Sequence, residues 1–106
     1  MPRDAFGFGR FSEPALLVLI SLADGPKHGY AVMEDVARTT GAHLGAGTLY
    51  GALARLEHRG LIAPAGDDPY RRPYRLTDAG AAALRAQLAE LRDLAALGLR
   101  RLEVAP

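Results

Sequence analysis

The sequence of 106 residues contains no cysteine, so disulfides, thiolate metal ligands and thiol nucleophiles are all excluded. Histidine is scarce as well, and the wide spacing of His28, His43 and His58 argues against a metal site. No apolar run approaches the roughly 18 residues of a membrane span, and the N terminus lacks the basic-then-apolar layout of a signal peptide. We expect a cytoplasmic protein with no metal, no cofactor and no membrane anchor.

The sequence also has no large excess of positive or negative charge, because 13 basic and 12 acidic residues leave a formal net charge of +1. This balance excludes a generic polycation that coats nucleic acid, but it is compatible with DNA binding through a local patch. Between residues 45 and 75, five arginines accompany Glu57, Asp67 and Asp68. Any contact with DNA phosphates therefore depends on where the fold places those arginines.

The sequence also lacks the groups of residues that are typical of an enzyme active site. The sequence offers no paired carboxylates, metal cluster or nucleophile with a base, so we do not expect catalysis. His28 and Tyr30 look catalytic only when they are considered alone, and roles in a turn and in the core are expected for them. With 49% hydrophobic and 24% charged residues, the chain is typical of a single globular domain.

The most informative stretch is residues 47–62, because it carries one apolar stripe at the helical period of 3.6 residues. The stripe of the predicted helix 46–59 consists of Leu49, Ala52, Leu53 and Leu56. The opposite arc consists of Gly47, Thr48, Gly51, Ala54, Arg55 and His58. That outer arc is small near its start and basic near its end, so the helix is able to lie close against another molecule.

Two helices are predicted before this stretch. The first runs from Ser12 as N-cap, with Pro14 in its first turn, to about Ala23, and it is apolar over most of its circumference. The second runs from about Gly29 to Thr39. Its expected inner face holds Tyr30, Met33 and Ala37, widened by Val32 and Val36. Two short helices joined by a tight turn are typical of a helix-turn-helix.

After Gly60, which ends the third helix, the pattern changes to two short strands. Residues 61–65 and 73–77 are predicted to pair as a hairpin, because turn-forming residues separate them. Pro64 and Pro73 cannot lie in the middle of a sheet, so the hairpin should be small and at an edge. A helix, a tight stop and a hairpin are the parts of a winged helix-turn-helix.

The last helix is predicted to begin at Thr77-Asp78 and to reach about Leu102. Apolar residues recur on it at alternating spacings of four and three, which is the seam of a coiled coil. The predicted dimerisation residues are Leu84, Leu88, Leu91, Ala95 and Leu102, with Leu99 beside them. A helix this long and this rich in leucine cannot be covered by so small a domain, so we expect a homodimer.

The expected fold is mostly α with a small β-hairpin, a winged helix-turn-helix with a long C-terminal dimerisation helix. The expected parts are an N-terminal arm at 1–11, a DNA-binding domain at 12–77 and the dimerisation helix at 78–106. The arm alternates phenylalanine with glycine. It is interpreted either as a floppy terminus or as an extended arm whose phenylalanines pack on a partner subunit.

Four blocks of the sequence resemble the PadR-like family of transcriptional regulators in order and spacing, over roughly residues 13–102. The blocks are Leu22-Ala23-Asp24-Gly25-Pro26-Lys27-His28-Gly29-Tyr30, then Gly47-Thr48-Leu49-Tyr50 with Leu53, Leu56 and Glu57, then Gly60-Leu61-Ile62, and finally Tyr74-Arg75-Leu76-Thr77-Asp78-Ala79-Gly80. The resemblance implies a homodimeric repressor whose DNA affinity is adjusted by a small aromatic or amphipathic ligand. Relatives often carry a serine before the recognition helix, whereas this sequence has Gly45.

The predicted function is sequence-specific binding to double-stranded DNA, with helix 46–59 in the major groove and a wing at 66–73 on the backbone or in the minor groove. The predicted DNA-contacting residues are Thr48, Tyr50, Gly51, Arg55 and His58 on the helix, and Arg71 and Arg72 on the wing. Two helices related by a two-fold axis should read a pseudo-palindrome with half-sites about 34 to 36 Å apart.

Several of these assignments have an alternative, and for Arg71 and Arg72 it is a charged turn that is only solvated. Tyr50 is either a phosphate contact beside Thr48 or a boundary core residue with its hydroxyl satisfied locally. Arg55 meets either a phosphate or a guanine, and His58 is otherwise a solvated residue near the helix end.

For the whole chain, the alternative is a winged-helix module that binds a protein partner and has little affinity for DNA. The near-neutral net charge would suit such a protein-binding module. A small hydrophobic or aromatic effector would lie between the long helices, although no tryptophan is present to stack on it.

Overall fold

The computed structural model describes residues 13–68 and 72–104. Its elements are α1 (Pro14–Leu22), α2 (Gly29–Thr40), α3 (Ala46–His58), β1 (Ile62–Pro64), β2 (Tyr74–Leu76) and α4 (Asp78–Val104). The predicted fold class, mostly helical with one small hairpin, is confirmed. Glu13 occupies the N-cap position of α1, so the prediction of Ser12 as the N-cap is wrong. The arm at 1–11 lies outside the described residues.

Helix α1 lies at the centre of the fold. Pro14 occupies its first turn, where a missing N–H costs no helical hydrogen bond. Helices α2, α3 and α4 and strand β2 all pack against it, and Val18 and Leu22 are almost completely buried. This arrangement explains the apolar circumference of α1, because a helix that is covered on several sides has little surface left for polar residues.

Helices α2 and α3 form the helix-turn-helix. Gly41 ends α2 with a φ of 75°, a left-handed conformation that glycine adopts without steric cost. The residues that α3 buries are Leu49, Ala52, Leu53 and Leu56, the same four that the helical period predicts. The inner face of α2 differs from the prediction, because Val32 and Val36 are buried there, whereas Tyr30 is exposed.

The hairpin is antiparallel, with Ile62 opposite Leu76 and Pro64 opposite Tyr74. Tyr74 also pairs with Lys27 on its other side, through two backbone hydrogen bonds of 2.8 and 3.0 Å. The turn between α1 and α2 therefore contacts the two-stranded hairpin through one isolated backbone bridge. Because a two-stranded ribbon is barely stable alone, this pairing ties the hairpin to the helices.

Polar groups join the same turn to the helices. Ser21 is buried on α1, and its hydroxyl donates a 2.7 Å hydrogen bond to Asp35 of α2, which Arg38 also contacts at 2.8 Å. Lys27 donates to the backbone carbonyl of Ser21 and to the carboxylate of Asp24. The Lys27 ammonium lowers the pKa of the exposed Asp24 carboxyl through this hydrogen bond and through its charge.

The start of α4 is fixed against the end of α3. The Thr77 hydroxyl donates to the carbonyl of Gly60 at 2.7 Å and accepts from the N–H of Gly80 at 3.0 Å, so it caps α4 and holds the α3 terminus. The N–H of Thr77 donates to the carbonyl of Leu61 at 3.1 Å. A Cβ atom on Gly80 would lie only 1.9 Å from that carbonyl oxygen. Only glycine permits this approach.

Helix α4 continues well beyond the domain. Its 27 residues span about 40 Å at 1.5 Å per residue, and the described molecule measures 60 × 28 × 20 Å. Leu84, a predicted dimer contact, packs instead in the chain's own core with 6% of its surface exposed. The apolar seam of α4 therefore reaches inward at Leu84, and it becomes available to a partner only from Leu88 onward.

Gly80→Ala should destabilise the fold by about 2 kcal/mol or more, because the added methyl group would overlap the backbone at Leu61. Urea denaturation followed by circular dichroism measures this change. Gly98→Ala is the matched control on the same helix, since no atom lies within 4 Å of its Cβ position. The control should keep or raise stability, and an unchanged midpoint for Gly80→Ala would contradict the close approach.

Candidate nucleic-acid interface

The outer surface of α3 is exposed along its whole length. Its described exposed residues include Gly47, Thr48, Tyr50, Ala54, Arg55 and His58. The surface is small at its N-terminal half and basic at its C-terminal half, as the sequence predicts. Because the four buried residues of α3 all lie on the opposite face, against the core, this arrangement leaves the helix backbone accessible from one side.

The N terminus of α3 carries no side-chain cap. Gly45 occupies the N-cap position, and its carbonyl accepts the first helical hydrogen bond from Leu49 at 2.9 Å. Thr48 is the third residue of the helix and is exposed. A helix N terminus favours negative charge through its free N–H groups and its dipole, so this end of α3 is electrostatically suited to a phosphate.

Gly51 and Arg55 lie one helical turn apart on this surface. A Cβ atom on Gly51 would be 3.4 Å from the Nη1 atom of Arg55, so the guanidinium group extends back along the helix over the glycine. Side chains of α-helices lean toward the N terminus, and the absence of a side chain at Gly51 leaves room for this conformation. The basic group is thereby brought toward the middle of the exposed surface.

Tyr50 lies on the flank of α3 that faces α2. Its ring packs on Gly29, where a Cβ atom would lie 2.9 to 3.1 Å from three atoms of the phenol. The side chain is nevertheless half exposed, at 51% of its surface. Its hydroxyl makes no hydrogen bond to any residue in the described ranges 13–68 and 72–104, so a locally satisfied hydroxyl is not what the structure contains.

Tyr30 differs from its prediction. A core role is expected from its place in the helical pattern, yet 64% of its surface is exposed at the first turn of α2. The periodicity of α2 is ambiguous because Met33 and Ala37 share a spacing with Tyr30 while Val32 and Val36 share another. In the structure Val32 and Val36 are the residues buried in the core. His28, at the N-cap of α2, is also exposed, in keeping with a role in the turn.

The hairpin lies next to α3 in the chain and carries the predicted wing. Arg72 is exposed, and so is Asp67 on the other side of the turn. Arg71 lies outside the described residues. Since β2 is held by both β1 and Lys27, the base of the wing has a fixed position relative to the helices.

A second apolar surface lies between α1 and α4. It is a groove of about 380 Å³ lined by Leu16, Leu17, Ile20, Leu88, Leu91, Leu94 and Ala95. Ile20 and Leu88 are each 40% exposed, and Leu99 and Leu102 further along α4 are 61% and 74% exposed. These values are high for large apolar residues, so α4 presents a continuous unpaired surface.

Residues 13–68 and 72–104 offer neither a metal site nor a membrane-spanning helix. No three acidic or histidine side chains in these ranges come together as metal ligands. Nor does any helix there combine the length and the apolar character that crossing a bilayer requires.

Comparison with known proteins identifies the family. Residues 17–86 match the model of the transcriptional regulator PadR-like family, which is most of the chain. The chain belongs to the PadR-like family of transcriptional regulators. This is a family of regulators rather than of enzymes, and membership implies regulation through DNA binding. The resemblance of the four sequence blocks is therefore confirmed.

Solved structures of PadR family members share the fold of this PadR-like chain. A PadR family transcription regulator from Clostridium difficile superposes with a TM-score of 0.73 at 25% identity, covering 86% of this chain and 99% of that chain. A PadR family transcriptional regulator from Eggerthella lenta superposes with a TM-score of 0.70 at 33% identity, covering 86% and 82% respectively. These similarities agree with the winged-helix architecture described above.

One curated relative is much longer than this PadR-like chain. It is an uncharacterised 37.1 kDa protein of transposon TN4556 from Streptomyces fradiae, 48% identical over 71 residues. The match covers 67% of this chain and 21% of the relative. The chain thus spans about a fifth of that protein's length.

Arg55→Ala should weaken operator binding by about tenfold, because it removes the central basic group of the α3 surface. If Arg55 contacts a phosphate, the salt dependence of log affinity should flatten by about one unit. If it contacts guanine, the slope should stay while base preference relaxes at one position. Arg92→Ala, an exposed arginine on α4, is the control. An unchanged affinity and preference would remove Arg55 from the interface.

Proposed function

We propose that the chain is a homodimeric repressor that reads a pseudo-palindromic operator in the cytoplasm, with α3 in the major groove and the wing on the backbone or in the minor groove. The observation that carries the proposal is the exposed outer surface of α3, where glycine and alanine are followed by Arg55 and His58. Small residues allow the helix backbone to approach base edges, and basic residues supply contacts to phosphates or guanine.

The remaining predicted contacts fit around this surface. Thr48 and Tyr50 flank the N-terminal half of α3, where they position the helix on a phosphate. Gly51 has no side chain, so the middle of the helix can approach the DNA closely. Arg71 and Arg72 act from the wing. His58 lies at the end of the helix, where it supplies a weaker contact than Arg55.

The homodimer is supported by the surface of α4. Leu88, Leu91 and Ala95 line the α1–α4 groove, and Leu99 and Leu102 continue the apolar surface along the protruding end of the helix. A second copy offers the same leucines, so an antiparallel or parallel pairing about a two-fold axis covers both surfaces at once. Reading a two-fold symmetric operator further requires that the dimer present its two α3 helices on one side.

A small aromatic or amphipathic effector is a further part of the proposal. The groove between α1 and α4 has the size of a small-ligand site and is almost entirely apolar. A ligand there would lie beside the dimer contacts. It would act on DNA affinity by changing the distance between the two α3 helices.

The alternative function is a winged-helix module that binds a protein partner. The net charge of +1 favours this alternative, because a nearly neutral protein attracts DNA only weakly at long range. Selection from a random duplex library, followed by gel shifts of the selected duplex at two salt concentrations, separates the two. A repressor requires tight, salt-sensitive and sequence-selective binding. Weak binding without sequence preference would favour the protein-binding module.

Arg72→Ala should flatten the salt dependence of DNA affinity by about one unit of slope, because one fewer phosphate is neutralised. Gel shifts over a series of salt concentrations measure the slope. Arg85→Ala removes another exposed arginine, on α4, and should leave the slope as it is. If both variants have the wild-type slope, the wing does not contact the DNA backbone.

Ala95→Glu should convert the dimer to a monomer, because it places a charge within the apolar surface of α4. Ala86→Glu is the matched control. The two alanines are nine residues apart and therefore lie on opposite sides of the helix at 100° per residue. Analytical ultracentrifugation should find a monomer for the first variant and a dimer for the second. A dimer in both cases would place the interface elsewhere.

A further inference from the structure

Gly29 is buried at the start of α2, although glycine has no side chain to contribute to a core. The Tyr50 ring lies where the side chain of any other residue would begin. The Cε1, Oη and Cζ atoms of Tyr50 would be 2.9, 3.0 and 3.1 Å from a Cβ atom on Gly29. These distances are shorter than ordinary van der Waals contacts, so a larger residue would require the ring to move.

The packing leaves part of the Tyr50 side chain open. About half of its surface is exposed, and its hydroxyl has no hydrogen-bond partner among residues 13–68 and 72–104. A phenylalanine at position 50 would pack its ring on Gly29 equally well, so the packing does not explain the hydroxyl. A hydroxyl held at the surface without a partner is instead available to an acceptor on another molecule, such as a phosphate oxygen.

We propose that Gly29 is a positioning residue of the DNA interface and that it acts through Tyr50. The contact with Gly29 restricts the ring, so the hydroxyl is held beside the N-terminal half of α3 before DNA arrives. An unrestrained tyrosine on an exposed helix flank would populate several rotamers and would lose that freedom on binding. This inference rests on the proposed function, because it assigns the hydroxyl to the DNA backbone.

The test is a double-mutant cycle of Gly29→Ala and Tyr50→Phe, with affinity measured on a short labelled duplex carrying the selected operator. Tyr50→Phe keeps the ring and removes only the hydroxyl, so it should weaken binding about tenfold, as expected for one hydrogen bond to a charged acceptor. Its salt slope should remain that of the wild type, because a hydroxyl releases no counterion. Its thermal midpoint should also be unchanged.

Gly29→Ala should weaken binding by a similar factor, because the methyl group displaces the ring. In the Tyr50→Phe background the same substitution should have no further effect, because no hydroxyl is left to misplace. Independent effects would instead multiply to about 100-fold in the double variant. Multiplied losses would mean that Gly29 does not act through the hydroxyl of Tyr50, and the proposal would be wrong.

Tyr74→Phe is the control for the chemical change, since it removes a hydroxyl from the hairpin, outside the α2–α3 contact. It should bind DNA as the wild type does. If Gly29→Ala does not fold, an unchanged affinity for Tyr50→Phe still overturns the proposal. A wild-type protein that lacks selective, salt-sensitive binding would overturn the proposed function as well. Selective wild-type binding that Tyr50→Phe leaves unchanged would overturn the role of Gly29 and the phosphate contact of the Tyr50 hydroxyl, but it would leave DNA-binding regulation by α3 in place.

Discussion

The structure depends on the junction at which the end of α3, the start of β1 and the first turn of α4 meet. Thr77 bonds the carbonyl of Gly60 and caps α4, while Gly80 allows α4 to approach the backbone of Leu61. Because these contacts join backbone to backbone or to a short side chain, they leave little freedom of rotation. The helix that presents the candidate DNA surface and the helix that presents the apolar surface are therefore held in one relative orientation.

A second set of contacts fixes the other side of the fold. Lys27 pairs its backbone with Tyr74 and its ammonium group with the end of α1, and the buried Ser21 hydroxyl is satisfied by Asp35. A buried hydroxyl without a partner would be costly, so this network makes the α1–α2 packing specific. The wing and the helix-turn-helix are thus joined through a single turn.

Much of this fold could be predicted from the sequence, because α3 and the hairpin carry clear periodicities and end at glycines. The same four residues that repeat at the helical period of α3 are the ones it buries. Prediction was wrong where one pattern has two solutions. Tyr30 shares its spacing with one face of α2, yet Val32 and Val36 fill the core. Leu84 belongs to the seam of α4, but a repeat alone does not distinguish the chain's own core from a partner.

The Gly29–Tyr50 contact could not be predicted from the sequence either, since 21 positions separate the two residues and no periodicity links them.

The junction between the end of α3 and the start of α4 also limits how the length of α4 can vary within the family. An insertion of one residue between Gly80 and Leu88 would rotate the outer seam by about 100° relative to α3, whereas an insertion of seven would nearly preserve its phase. The outer apolar surface of α4 can therefore move along the helix axis and keep its direction only through insertions close to a whole number of helical turns.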